Sequence, residues 1–221
     1  MLRVTTPPAQ PRSYDSSRRR AAATRNRRAV LDACHALLLR DGYQATTIRA
    51  VADRAGVSAD MIYKTFGSKQ QLMKAVYDVV IAGDDEPIPI AQRPAVQQVL
   101  GTADAQEKVR LYARFVRDYA ERLGGLIPVL AEADPEVAEV RATTEDERLV
   151  GVRAFVEHLA AQGLLRSGTD EREAADACWV LTSPQLFTQL THARQWNADT
   201  YERWLAHMLK STLLDQQWLS A

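Results

Sequence analysis

The amino-acid sequence predicts an all-α protein, and three observations favour this fold class. Apolar residues recur at steps of three and four along most of the 221-residue chain, which places them on one side of successive helices. Glycine ends several of these runs, as at Gly42, Gly56 and Gly163. No stretch has the pattern of a strand of any strength, so we expect helices to build the whole core.

The region from Thr46 to Lys74 predicts two short helices joined at a glycine and followed at once by a third. Thr47, Ser58 and Ser68 stand where each of these helices needs an N-cap. Gly56 supplies the left-handed residue that ends the first of them. This spacing is typical of a helix-turn-helix unit, whose second helix reads the major groove of DNA.

Charge separates the N-terminal third of the chain from the remainder. Residues 1–80 carry 14 Lys and Arg against 6 Asp and Glu, whereas residues 81–221 carry 14 against 22. A basic region joined to an acidic one indicates a phosphate-facing module fused to a module with another task. Helical hairpins with a glycine turn also occur in purely structural bundles, so a helical adaptor that binds no DNA stays open.

Residues 31–78 resemble the tetracycline-repressor-like (TetR) family of transcriptional regulators. The order helix, Gly-Tyr, Thr-Thr, Ala-Gly-Val-Ser, Ile-Tyr, Phe, Ser-Lys and Leu follows the family pattern, and residues 197–214 are more weakly similar to its last helix. The resemblance implies an N-terminal three-helix DNA-binding domain that contains the helix-turn-helix. It also implies a C-terminal helical domain for ligand binding and dimerisation.

The same resemblance, carried over position by position, implies a set of DNA contacts. The residues that would hold phosphates are Thr47, Tyr63 and Lys69. Beside them on the groove side would lie Lys64 and Thr65. The first turn of the reader helix would contain Ser58, Ala59 and Asp60. Asp60 departs from the small or basic residue common in the family. An acid near phosphates lowers affinity unless it accepts a hydrogen bond from a cytosine amino group or a cation.

Composition divides the chain into three predicted segments. Residues 1–23 are rich in Pro, Ser and Arg and are expected to form a disordered basic arm, which either follows DNA or is a solvated start without a target. Residues 24–84 form the expected helix-turn-helix domain, with a first helix from about Thr24 to Arg40. Residues 83–94 contain three prolines and three acids, which favours a linker, and residues 85–221 form the expected effector-binding and dimerisation domain.

Four or five further helices are predicted beyond the linker. We expect them near 106–123, 126–131, 135–162, 173–190 with a kink at Pro184, and 198–214. The last helix carries more apolar surface than one neighbour would cover, although packing within one chain could absorb it. The family resemblance implies that the last two helices pair with those of a second subunit, through Leu186, Tyr201, Trp204, Leu205 and Met208.

An effector pocket is predicted inside the C-terminal domain. Breaks at Gly124-Gly125 and Pro184 interrupt helices whose aromatic residues would otherwise fill a closed core, which leaves room for a cavity of a few hundred Å³. Its expected walls are Tyr112, Phe115, Phe155 and Trp179. A plain aromatic core fits the same spacing.

Catalytic, cofactor and metal motifs are missing from the sequence. There is no Gly-rich phosphate loop, no His-x-x-x-His or Cys-x-x-Cys spacing and no Gly-x-Ser-x-Gly elbow, so we predict no enzyme, no cofactor and no metal. Cys34 and Cys178 lie on separate predicted helices, which favours two buried thiols over a disulfide or a redox-sensing pair. No apolar run approaches ~20 residues and no signal peptide is present, so a cytoplasmic protein without membrane contact is expected.

The predicted function is that of a homodimeric, DNA-binding transcriptional regulator. We expect a repressor that a small molecule of unknown identity releases from an inverted repeat in double-stranded DNA. An architectural DNA-binding protein without an effector remains the alternative. Its affinity for DNA would not change with any ligand.

Overall fold

The computed structural model describes residues 13–215, which are almost entirely helical. Eleven α-helices are described there: α1 Ser13–Ala45, α2 Ile48–Ala55, α3 Ala59–Phe66, α4 Lys69–Ala82, α5 Pro94–Gly101, α6 Ala105–Leu123, α7 Ile127–Leu130, α8 Pro135–Ala161, α9 Glu171–Leu181, α10 Pro184–Thr188 and α11 Ala198–Leu213. A 3-10 turn at Ile90–Gln92 and a π-helical turn at Gln189–Ala193 complete the list. Within these residues the only β-type pairing is an isolated bridge between Leu165 and Leu214, which confirms the all-α prediction.

The three predicted N-caps of the helix-turn-helix region are present. The hydroxyls of Thr47, Ser58 and Ser68 each accept a hydrogen bond from the backbone N–H three residues further on, at 3.1, 3.2 and 3.1 Å. Gly56 ends α2 in the left-handed conformation, with φ 68° and ψ 35°. These local signals fix the boundaries of α2, α3 and α4, and they therefore fix the angle at which α3 leaves the turn.

The start of α1 differs from the sequence prediction. The helix begins at Ser13 rather than near Thr24, so the part of the expected disordered arm from residue 13 to residue 23 is helical, while residues 1–12 lie outside the described range. Alanine and arginine, which fill residues 18–23, have high helix propensity, and an exposed helical extension needs no apolar stripe. Gly42, with φ 78°, interrupts the helix as predicted.

The C-terminal helices pack around α6. Helix α11 lies along α6, α9 packs against α8 and α11, and α4 reaches across from the N-terminal region to contact both α6 and α8. One continuous apolar core therefore joins the helix-turn-helix to the rest of the chain. The predicted helices at 106–123, 135–162 and 198–214 agree with α6, α8 and α11 to within one residue at each end.

Two predictions for the C-terminal helices were wrong. The single kinked helix expected at 173–190 is two helices, because α9 stops at Leu181 and Ser183 caps a new helix that begins at Pro184. A proline at the first helical position loses no hydrogen bond, so it starts α10 instead of kinking α9. Helix α5 was not predicted, since its start at Pro94 was assigned to the linker.

Burial keeps the thiols of both cysteines protonated. Cys34 on α1 and Cys178 on α9 are free and buried, and burial raises the pKa of each thiol to about 12. A thiol that stays protonated is a poor nucleophile, which agrees with the predicted structural role. None of the described helices is long and apolar enough to cross a membrane.

Candidate DNA-binding surface and ligand cavity

Helix α3 presents one face to solvent and packs the other into the core. Ile62 and Phe66 are buried, while Tyr63 keeps 53% of its surface exposed. The remaining residues predicted to meet DNA on α3 or before it are also exposed or half-buried: Ser58, Ala59, Asp60, Lys64 and Thr65. Thr47, at the start of α2, is exposed as well. The structure therefore leaves this predicted surface accessible, apart from Ala59, which packs partly against the core.

Lys69 is the exception in the predicted set. Its ammonium lies 3.8 Å from the centroid of the Tyr43 ring, and its side chain is half-buried. Tyr43 is itself tied to the second domain, because its hydroxyl donates to Glu136 and its backbone N–H donates to Glu132 Oε1 at 2.8 Å. Lys69 thus supports the joint between the two parts of the chain, whether or not it also meets a phosphate.

Asp60 occupies a position where an acid stabilises the start of a helix. It stands in the first turn of α3, where a carboxylate interacts favourably with the positive end of the helix dipole. Such an interaction contributes about 0.3–1 kcal/mol at an exposed position. An acid at this position therefore stabilises α3 independently of any contact with a base.

The N-terminal half of α1 carries a basic cluster, and part of it is used within the chain; its members are Arg18, Arg19, Arg20, Arg25, Arg27 and Arg28. Arg27 forms an ion pair with Asp85 at 2.9 Å and lies over the ring of Phe66, and Arg28 pairs with Asp32. Arg20 and Arg25 are exposed. Arg27 therefore holds α1 against α3 and the segment after α4, whereas the Arg28 ion pair lies within α1.

A cavity of about 1150 Å³ lies between α4, the segment after it, α5, α6 and α8. Three of the four predicted wall residues line it, namely Tyr112, Phe115 and Phe155, and the first and last of these rings stack with centroids 3.8 Å apart. The predicted Trp179 does not line it. Its ring packs instead against the guanidinium of Arg148, 4.5 Å away, because α9 meets α8 through that pair.

The cavity is larger than predicted because the linker and α4 contribute to its wall. Ala75, Val79 and Ile81 line it from α4, and the exposed side chains of Ile88 and Ile90 stand at its mouth. Residues 83–94 were predicted to be a linker. Ile88 and Ile90, apolar residues in an otherwise polar and proline-rich segment, indicate that this segment covers an apolar surface.

A buried lysine lies behind the lining residues at the α5–α6–α8 end of this cavity and does not itself line it. Lys108 has 0% exposure, and its Nζ lies 3.1 Å from the carbonyl oxygen of Leu100 and 2.8 Å from Nε2 of His158. Burial lowers the pKa of Lys108, and burial together with the charge of Lys108 lowers the pKa of His158. Both Leu100 and His158 line the cavity.

Replacing Lys108 with methionine is expected to raise the melting temperature at pH 7, since it removes a buried cation. Because the folded-state pKa lies below 10.5, the native protein regains stability as pH rises from the folded value toward that of the unfolded chain. The advantage of Lys108→Met should therefore shrink between neutral pH and about 10.5. Calorimetry across this range, with Lys210→Met as the control, would measure it; a constant difference would contradict the prediction.

The predicted dimer residues divide into two groups. Tyr201 and Leu205 have 0% exposure and belong to the core of a single chain, where Tyr201 meets Phe187 edge to face at 4.9 Å. Their assignment to the dimer interface was therefore wrong, because α6 covers that side of α11. Leu186, Trp204 and Met208 are half-buried and stay available.

Direct contacts join α4 to the cavity helices. The guanidinium of Arg122 at the end of α6 donates to the carbonyl oxygens of Val80 and Ile81, at 2.8 and 2.6 Å, in the last turn of α4. Lys74 on α4 pairs with Glu147 on α8 at 2.8 Å. A displacement of α6 or α8 would therefore act on α4, which follows the reader helix α3 after a two-residue turn.

Between residues 13 and 215, no three His, Cys, Asp or Glu side chains are grouped suitably for a metal ion.

Similarity to known proteins covers the helix-turn-helix at the level of sequence. The profile described as "Bacterial regulatory proteins, tetR family" matches residues 30–76. The uncharacterized HTH-type transcriptional regulator YvkB of Bacillus subtilis (strain 168) is 43% identical over 47 residues, which make up 21% of this chain and 25% of YvkB. The HTH-type transcriptional repressor KstR of Mycobacterium tuberculosis (strain ATCC 25618 / H37Rv) is 42% identical over 52 residues, 24% of each chain. These matches span about a quarter of each relative's length.

Similarity of the whole fold extends further. The transcriptional regulator FadR from Bacillus subtilis, solved in complex with stearoyl-CoA, superposes with a TM-score of 0.64 and covers 83% of this chain and 97% of its own. The two sequences are 16% identical, so the likeness shows a shared fold. All three of these proteins are named as regulators of transcription, in agreement with the prediction that the chain is not an enzyme.

Proposed function

We propose that this chain, which belongs to the TetR family of bacterial transcriptional regulators, is a homodimeric repressor that leaves an inverted-repeat operator when a small molecule fills its cavity. One observation carries the proposal. The helix that follows the reader helix, α4, forms part of the cavity wall through Ala75, Val79 and Ile81. A ligand in the cavity would thus touch the element that sets the position of α3.

The DNA-binding half of the proposal rests on the free face of α3. In a dimer, two copies of α3 related by a two-fold axis would enter successive major grooves about 34–36 Å apart. Thr47, Tyr63, Lys64 and Lys69 would hold phosphates or lie beside them, and the first turn of α3 would meet base edges through Ser58, Ala59 and Asp60. The helix-turn-helix domain would then span residues 24–84, with α1 extending before it.

The effector half of the proposal rests on the size and lining of the cavity. About 1150 Å³ exceeds the volume of most drug-sized pockets, and aromatic and aliphatic side chains form most of its wall. FadR, which shares the fold, was solved in complex with stearoyl-CoA. We infer an amphipathic effector, and residues 85–221 would form the domain that binds it.

The switch would operate through α4. By linkage, an effector that weakens DNA binding must be weakened by DNA to the same extent, typically ~5–150-fold. A change in the tilt of α4 would alter the distance between the two reader helices of the dimer. The contacts from Arg122 and Lys74 give α6 and α8 the means to produce such a tilt.

Binding to the DNA upstream of the protein's own gene provides the first test. Fluorescence anisotropy at low salt should show specific binding that falls steeply as salt is raised, since counterions are released. Compounds that raise the melting temperature should then lower operator affinity. Absence of binding would reject the DNA-binding proposal, while stabilising ligands that leave operator affinity unchanged would favour the effector-independent alternative.

Replacing Arg122 with methionine is expected to uncouple ligand from DNA. The variant loses the two hydrogen bonds to the end of α4, so the operator affinity of the ligand-free protein should change little while release by ligand becomes several-fold weaker. Arg114→Met, which removes an exposed arginine from the same helix, is the matched control. Equal release by ligand in both variants and the native protein would show that Arg122 carries no coupling.

A further inference from the structure

We propose that the cavity selects an organic anion, most simply a carboxylate on an apolar skeleton, whose charged group docks beside His158 and Lys108. The inference rests on the proposed function, because it names the class of effector for the same cavity. It is carried by the position of one buried cation and by the pairing of the other charges around the cavity.

Lys108 is a buried ammonium without a counter-ion. Its recorded polar neighbours are a carbonyl oxygen and an imidazole nitrogen, and none of the carboxylates in the described part of the chain forms an ion pair with it. A buried cation is strongly unfavourable unless an anion lies near it. An anionic group at this end of the cavity would supply the missing charge.

Most of the charged groups that line the cavity have partners within the chain. Its three arginines each have a carboxylate partner, as Arg27 has Asp85, Arg93 has Asp84 and Arg148 has Glu145. Two further lining carboxylates, Asp78 and Glu147, share Lys74. Lys74 compensates only one of these two carboxylates, and Glu86 forms no ion pair among the described residues, so the wall formed by α4, the linker and α8 keeps an excess of negative charge. On the α5 side, whose lining residues Val96, Val99 and Leu100 are apolar, the uncompensated charge is the positive one of Lys108.

His158 connects Lys108 to the cavity. An ammonium group has no acceptor, so Nε2 of His158 must accept the hydrogen bond from Lys108, and the proton of the neutral ring is then on Nδ1. Because His158 also hydrogen-bonds the backbone of Leu100, an anion beside it would be attracted mainly by the charge of Lys108. Bound anion would also favour the charged form of both residues, which burial disfavours in the empty cavity.

The surroundings of this pair suit the apolar part of the same ligand. Val99 and Leu100 of α5 and the stacked rings of Tyr112 and Phe155 lie along the wall that includes His158. A molecule anchored by its acid at His158 would extend from there toward α4. Its far end would then contact Val79 and Ile81, the residues through which we expect it to act on DNA binding.

A matched ligand series tests the proposal with the full-length protein. Decanoate and 4-biphenylcarboxylate would be compared with the alcohols and trimethylammonium compounds on the same skeletons, by calorimetric titration at pH 7. We expect at least one carboxylate to bind roughly ten- to a hundredfold more tightly than its neutral and cationic counterparts, the usual effect of a charge-assisted hydrogen bond. No binding of either carboxylate, or equal binding of acid and alcohol, would overturn the proposal.

Two variants locate the charged group. Lys108→Met and His158→Leu should each abolish the preference for the acid over the alcohol. Both variants should bind the alcohol within about threefold of the native affinity. The control variant Lys210→Met should retain the preference for the acid. A preserved preference in Lys108→Met would overturn the assignment. Operator release is measured separately: carboxylates that bind through Lys108 without releasing DNA would refute the repressor switch alone, and alcohols that release DNA as well as acids do would refute the anion site alone.

Discussion

Sedimentation of the Trp204→Glu variant is expected to show a monomer at concentrations where the native protein is a dimer. Trp204 and Met208 lie together at the half-exposed edge of α11, next to the side that α6 covers. If a second subunit covers them, a glutamate there would bury an unpaired charge at a cost of several kcal/mol. Each ~1.4 kcal/mol is a factor of ten, so dimer affinity should fall on the order of a thousandfold.

Arg203→Glu is the matched control for this experiment. It places the same charge on the same helix at an exposed position that points away from Trp204, and it should leave the dimer intact. Because Trp204 also contacts Trp196 and Tyr201 within its own chain, Met208→Glu should be measured in parallel, with circular dichroism to check folding. A native chain that sediments as a monomer at micromolar concentration would remove the dimer and the operator geometry derived from it.

A second large effect is expected when Tyr63 and Lys64 are replaced together by alanine and methionine. Both side chains are exposed on α3, so the double variant should fold normally. Loss of the phosphate contact expected for Tyr63 and of the positive charge of Lys64 beside it should weaken binding to all DNA sequences on the order of a hundredfold. The slope of log affinity against log salt should fall by about 1 for the lost lysine.

The choice of these two residues follows from the position of Lys69. Substituting Lys69 would also remove its contact with the Tyr43 ring, so a loss of DNA binding could reflect a loosened domain joint. Arg110→Met, which removes a charge from α6, is the control and should leave both affinity and salt slope unchanged. Retention of full operator affinity in the double variant would show that α3 meets DNA through a different face.

Local signals explain why the helix-turn-helix could be predicted from the sequence. Caps at Thr47, Ser58 and Ser68 and the left-handed Gly56 act within a few residues, so they are visible in the chain itself. Helix α8 was likewise predicted from its initial proline and the glycine that follows it. By contrast, residues 13–23 extend α1 through helix propensity and show no apolar pattern, so this extension of the helix was not predicted.

The parts of the site that could not be predicted depend on which side of a helix meets which neighbour. Tyr201, Trp204 and Leu205 form one apolar arc in sequence, but the position of α6 decides that the first and last are core residues. Trp179 fits the spacing of a cavity wall, yet its ring packs against the guanidinium of Arg148 instead. The contribution of Ile88 and Ile90 also depends on how the linker folds back, which their own spacing does not specify.

The joint at Gly42 and Tyr43 limits how freely DNA-binding modules can be exchanged between regulators of this kind. A Cβ atom at position 42 would lie 2.7 Å from Oε1 of Glu132, the same oxygen that accepts the backbone N–H of Tyr43. A hybrid that grafts a foreign reader onto residues 85–221 would therefore need glycine at the position of Gly42 and an aromatic hydroxyl able to reach Glu136. Recombination at the linker alone would produce a chimera whose two halves fit poorly, so a graft that changes operator specificity should keep Gly42 and Tyr43 and replace α3 alone.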